Sequence, residues 1–103
     1  MRLRRLWREE FMQIVDLLSH GQENAIPLRQ IAGLTNIDER TIREKIAAER
    51  LSGVPILSDN KTGYFLPANE KEKERFVQNM KHRAKEIERA AKAVEKSTYE
   101  KGI

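Results

Sequence analysis

A chain of 103 residues of which 39% are apolar can fill one compact core and little beyond it. It has no cysteine, which excludes disulfides, thiolate metal sites and cysteine nucleophiles. Its 20 basic and 16 acidic residues leave a net charge of +4, which favours an anionic partner without requiring one.

No apolar stretch approaches the roughly 18 to 20 residues of a membrane span, and Met1-Arg2-Leu3-Arg4-Arg5-Leu6 runs into charge instead of a signal-peptide core. A soluble, unprocessed, cytoplasmic protein without membrane attachment is the expectation. The positive excess is uneven: residues 1–69 carry 10 basic and 9 acidic side chains, and residues 70–103 carry 10 and 7.

Leu3, Leu6, Trp7, Phe11, Ile14, Val15 and Leu18 recur mostly at steps of three and four, predicting an amphipathic helix that ends near His20-Gly21. Gln22-Glu23-Asn24 reads as a loop, and Ala25-Ile26 has room for a short strand before Pro27. Pro27 suits the start of a helix, where its missing N–H is no loss, and that helix runs from Leu28 to about Leu34. Thr35-Asn36-Ile37-Asp38 then favours a turn and an N-cap. The next helix runs from about Glu39 to Ser52, directs Ile42, Ile46 and Leu51 toward a core, and ends at Gly53 in a left-handed cap.

Beyond Gly53 the period changes. Val54-Pro55-Ile56-Leu57-Ser58 and Tyr64-Phe65-Leu66-Pro67 flank the polar Asp59-Asn60-Lys61-Thr62-Gly63, the pattern of a β-hairpin bracketed by prolines at its outer ends. From Asn69 the chain turns rich in Lys, Glu, Arg and Ala, with Asn69 as N-cap and Glu72 as its capping-box partner. Val77, Met80, Ala84, Ile87, Ala91 and Val94 alternate at three and four, filling a and d positions of a long helix. The predicted organisation is a unit over 1–68, a packing or dimerising helix over 69–97 and a frayed tail over 98–103. The fold class is mainly α with a small β-hairpin and a long C-terminal α-helix.

The stretch Ile31-Ala32-Gly33-Leu34-Thr35-Asn36-Ile37-Asp38-Glu39-Arg40-Thr41-Ile42-Arg43 resembles the helix-turn-helix of bacterial regulators. In that pattern the small Ala32 admits close packing of the second helix, and Ile37, Ile42 and Ile46 lock the angle. With Gly-Val-Pro-Ile and Gly-Tyr-Phe-Leu-Pro around the hairpin, residues 25–67 resemble the winged-helix domain at the N-terminus of biotin repressors and small phage-encoded winged-helix proteins. Asn36 stands where the pattern usually has glycine, and asparagine tolerates a left-handed backbone better than most residues. The likeness stops at the winged helix and carries no ligase activity with it.

The resemblance implies sequence-specific binding of double-stranded DNA, as a transcriptional regulator or an accessory replication protein of phage or mobile-element origin. The helix from Glu39 would enter the major groove with its first turns nearest the bases. Arg40 or Arg43 can then offer a fork to guanine, Glu39 and Glu44 face the groove, Glu39 can accept from a cytosine amino group, and Thr41 can meet a phosphate or a thymine methyl. Asn60 and Lys61 at the hairpin tip are placed to touch phosphate or the neighbouring minor groove, and Arg29 at the start of the preceding helix to hold the backbone.

A second reading stands beside this. Asp38 to Arg50 carries four acids and four bases, and Glu39 with Arg43, and Lys45 with Glu49, are spaced for ordinary i,i+4 ion pairs. A winged-helix module that binds protein and not DNA fits such a neutral face. The C-terminal stripe likewise reads either as a homodimer seam or as cover for the N-terminal helix. His20 and His82 have no carboxylate cluster, phosphate loop or metal-spaced set beside them, so no enzymatic activity, metal or cofactor is expected.

Overall fold

The computed structural model describes residues 13–99, so Leu3, Leu6, Trp7 and Phe11 of the expected N-terminal helix lie outside the described residues. The chain passes through two 3-10 turns, Ile14–Leu17 and Gln22–Asn24, then α1 (Leu28–Thr35), α2 (Glu39–Leu51), β1 (Leu57–Asp59), β2 (Gly63–Phe65) and α3 (Glu70–Lys96). The fold is mainly helical with one antiparallel hairpin and a long C-terminal helix, as the sequence predicts.

Ile14, Leu18, Ile31, Ile42, Ile46 and Ile56 form the buried cluster that joins the N-terminal segment, α1, α2 and the approach to β1. Each contributes on the order of 1.5–3 kcal/mol by leaving water. Leu51 does not join them and is 91% exposed. Nine residues on a helix turn through about 900°, which sets Leu51 opposite Ile42. The chain closes the core with Val54 instead, after Gly53 (φ 104°) ends α2. There Gly53 N–H donates to Arg50 O and Val54 N–H to Glu49 O, both at 3.0 Å, the paired bonds of a Schellman cap.

The N-terminal segment departs from the expected helix. Within the described residues only Ile14–Leu17 is helical, as a 3-10 turn, and Leu18 is already extended (φ −95°, ψ 149°). Two competing partners account for this. The Glu49 carboxylate takes the N–H groups of Ile14 and Val15 at 2.6 and 2.9 Å. Leu66 then draws the chain into strand-like pairing, with Leu66 N–H on Ser19 O at 2.8 Å and Gly21 N–H on Leu66 O at 2.7 Å. Ile26 pairs antiparallel with Tyr64 through two bonds of 2.9 Å, whereas the bridge at Leu66 is parallel, so Ala25-Ile26 supplies a single bridge to the hairpin.

In the hairpin Leu57 faces Phe65, Ser58 faces Tyr64 and Asp59 faces Gly63. The strands are shorter than the apolar runs that flank them, because Pro55 and Pro67 cannot donate to the ladder. Helix α3 is capped as expected by Asn69, whose Oδ1 accepts from Glu72 N at 2.8 Å. Glu72 does not close a reciprocal box: its carboxylate accepts from Ala68 N at 2.7 Å and from Gln22 N at 3.3 Å, fastening the helix start to the domain. Phe76 provides the second fastening, with the Arg50 guanidinium 5.2 Å from its ring centroid. Arg50 is held there by its Nε–H to Ile56 O at 2.7 Å and its Nη2 to Ser58 Oγ at 3.2 Å. Half burial between these elements lowers its pKa from the ordinary arginine value. Past Met80 the helix draws away from the domain: Arg83, Ala84 and Ile87 still share a groove with Arg50 and Ser58, and residues 81–96 are exposed.

Candidate nucleic-acid interface

The turn between α1 and α2 is built from four consecutive residues with separate tasks. Thr35 is buried, and its hydroxyl donates to Ile31 O at 2.8 Å while accepting from Ile37 N at 3.2 Å. Asn36 takes the left-handed conformation (φ 62°, ψ 31°), the role its position implies, and closes α1 with its N–H on Ala32 O at 2.8 Å. Ile37 packs against the core, and Asp38 caps α2, accepting from Thr41 N at 3.0 Å and Thr41 Oγ1 at 2.7 Å. These two bonds hold the Asp38 pKa below the ordinary carboxylate range, so the cap stays charged at neutral pH. Removing the Thr35 hydroxyl with Thr35→Val is expected to cost about 1–2 kcal/mol, because Ile37 N–H loses its acceptor. A urea melt of the two proteins measures it.

Behind α2 the hairpin tip is shaped by Asp59. Its Oδ1 accepts from Lys61 N at 2.8 Å and Thr62 N at 3.3 Å, an Asx turn, while Oδ2 takes the Gln22 side-chain amide at 3.0 Å. The carboxylate is thereby spent inside the tip, and Asn60 and Lys61 are left exposed.

Arg43 of α2 and Asn60, Lys61 and Thr62 of the tip line one groove of about 320 Å³, floored by Leu28 and Tyr64. The fold thus brings together three of the eight residues singled out from sequence. Arg29, Glu39, Arg40 and Glu44 are exposed outside that groove. Thr41 is half-buried with its hydroxyl proton given to Asp38, which leaves its methyl as the group free for contact. Thr62 was not singled out: it lines the groove, but its hydroxyl is buried there and makes no hydrogen bond among the described residues. Only the tertiary position of the loop marks it.

The charge balance of α2 resolves into two exposed pairs, Arg40 Nε to Glu44 Oε2 at 3.6 Å and Arg43 Nη2 to Glu39 Oε1 at 4.0 Å. Such pairs are worth about 0.2–1 kcal/mol, less than the roughly 1–3 kcal/mol of a bidentate arginine–guanine contact, so they do not tie the guanidinium groups down. The expected Lys45–Glu49 pair is absent among the described residues, because Glu49 is turned inward onto Ile14 and Val15.

His20 Nδ1 bonds to Pro67 O at 2.7 Å, and His82 stands on the exposed part of α3. Among the described residues no group of three His, Cys, Asp or Glu could hold a metal ion, and no helix is long and apolar enough to cross a membrane.

No curated protein and no solved structure matches the chain. A family model described as an HTH domain, of a kind that binds DNA and is usually non-enzymatic, matches residues 12–65. The match covers more than half of the chain and the elements that carry the groove, from the core's first isoleucine to the second strand of the wing, and the chain belongs to the HTH domain family.

Proposed function

We propose that the chain is a sequence-specific regulator that binds double-stranded DNA, with the first turns of α2 in the major groove and the hairpin tip on the backbone. The observation that carries this reading is the groove shared by Arg43, Asn60 and Lys61, which sets a base-reading side chain beside two exposed phosphate donors. Arg40 and Arg43 supply the guanidinium forks, Glu39 and Glu44 the acceptors, and Arg29 a further backbone contact. The same reading includes pairing of two copies through the apolar stripe Val77, Met80, Ala84, Ile87, Ala91 and Val94. No chemistry is assigned to the site.

Selection from random double-stranded DNA tests it. Enrichment of a defined motif is expected, with Arg43→Ala relaxing one base position at a cost of about 1–3 kcal/mol. Lys61→Ala should weaken all sequences alike and lower the dependence on salt. Failure to enrich any motif, with the same feeble affinity in wild type, Arg40→Ala and Arg43→Ala, would sink the DNA reading in favour of a protein-binding winged helix.

A further inference from the structure

The apolar stripe of α3 is covered unevenly by its own domain. Val77 and Met80 are 36% and 40% exposed, since they line a groove with Val54, Pro55, Ile56 and Leu57, whereas Ile87 and Val94 are 68% and 72% exposed. The grooves along the helix share Met80 and then Ile87, so the surface runs unbroken from Pro55 to Val94. The domain borders this half only through Arg50 and Ser58, beside Ala84 and Ile87, so an occupant must fit the face from Ala84 to Val94 alongside them.

We infer that this occupant is the same half of a second copy, running antiparallel, with Ala84 against Val94 of the partner subunit and Ile87 against the partner's Ala91. It rests on the pairing included in the proposed function but not on DNA binding. Three observations favour it. The first is helix length: in this register α3 of the partner ends at Lys96, level with His82 and so short of Met80 and the segment Val54–Leu57. A parallel, in-register partner would bring its own Val77 and Met80 to faces those residues already cover. The second is volume. Antiparallel a–d layers set each alanine against a branched side chain, whereas parallel layers would alternate Ala on Ala with Ile on Ile and leave gaps at Ala84 and Ala91.

The third is charge. The register brings Lys81 to Glu95 of the partner subunit twice across the two-fold, and places Ala90 on the axis, where small side chains let the helices close. One like pair, Glu88 on its own copy, opposes this and makes a signature. The two Phe76 anchors then stand about 40 Å apart along the helix axis, similar to the roughly 34–36 Å between successive half-sites on DNA. The seam is about one and a half heptads long, so the pairing is expected to be weak, in the micromolar range.

The chain has no cysteine, so single cysteines report geometry without background. On the full chain, without DNA, Ala90→Cys is expected to cross-link under mild oxidation and Ala84→Cys is not; the reverse pattern would mean a parallel seam and overturn the proposal. By sedimentation Lys81→Glu should weaken dimerisation about fivefold, the double variant with Glu95→Lys should restore it, and Glu88→Gln should tighten it. A chain monomeric up to millimolar concentration would also overturn it. If Trp7 fluorescence were then blue-shifted at every concentration and shifted back by Ile87→Glu, the stripe's occupant would be residues 1–12 of the same chain. Because every reading is made without DNA, a failed seam leaves the DNA selection untouched, and a failed selection leaves the seam standing.

Discussion

Gly63→Ala is expected to destabilise the protein by about 3 kcal/mol or more, the largest loss of any single-methyl change. Gly63 has φ 116°, a left-handed value that side chains rarely adopt, and an added Cβ would strike the carbonyl of Ile26 and lie 2.6 Å from Pro27 N. These are backbone atoms and cannot step aside. They belong to the bridge in which Ile26 and Tyr64 exchange two hydrogen bonds of 2.9 Å, so the methyl would force the wing off the body of the domain. The groove would open with it, since Gly63 lies between Thr62 and Tyr64 on its wall. Urea denaturation should show the midpoint falling sharply, and DNA affinity should fall even where the protein remains folded. Gly33→Ala is the control: that glycine sits inside α1 with nothing within 4 Å of the added carbon, and the change should stabilise by about 0.5–1 kcal/mol. Equal losses in the two variants would show that the Ile26–Tyr64 bridge does not hold the wing.

Glu49→Ala should cost about 3 kcal/mol, far more than an exposed helical glutamate is worth. Its carboxylate satisfies two backbone donors, Ile14 and Val15, and hydrogen bonds to a charged group contribute roughly 1.5–3 kcal/mol each. Glu49→Gln keeps one acceptor and should lose about half as much. The loss has a location: the amide protons of Ile14 and Val15 should exchange faster relative to those of α2, as residues 14–18 come away from Ile42 and Ile46. A loss below about 0.5 kcal/mol would mean that packing of Ile14 alone anchors the segment.

Much of the architecture was legible in particular residues. Asn36 and Asp38 mark the turn, Gly53 the end of α2, Asn69 the start of α3, and the alternation around Asp59 to Gly63 the wing. Each acts through the backbone within a few positions of itself, so neighbours in sequence suffice to read it. The site was legible as a set of residue types on α2 and the hairpin, and less so as geometry. That Arg43 shares a groove with Asn60 and Lys61 depends on how the wing folds back past Leu28.

Periodicity and caps are local, so the mainly helical class, the turn chemistry and the residues that α2 and the wing present can all be read along the chain. Three things were decided only by the tertiary structure. The 3-10 turn Ile14–Leu17 gives way to extended chain at Leu18 because Glu49 and Leu66, distant in sequence, compete for this segment's backbone. Leu51, set opposite Ile42 by the phase of α2, stays in solvent, and Val54 beyond the Gly53 cap packs on the core in its stead. Phe76 and Glu72 fasten only the first turns of α3, leaving the apolar face beyond Met80 without cover from its own domain. In each case a local preference worth a few tenths of a kcal/mol per residue yields to burial or charge-assisted bonding worth one or more, and those partners meet only once the chain has folded.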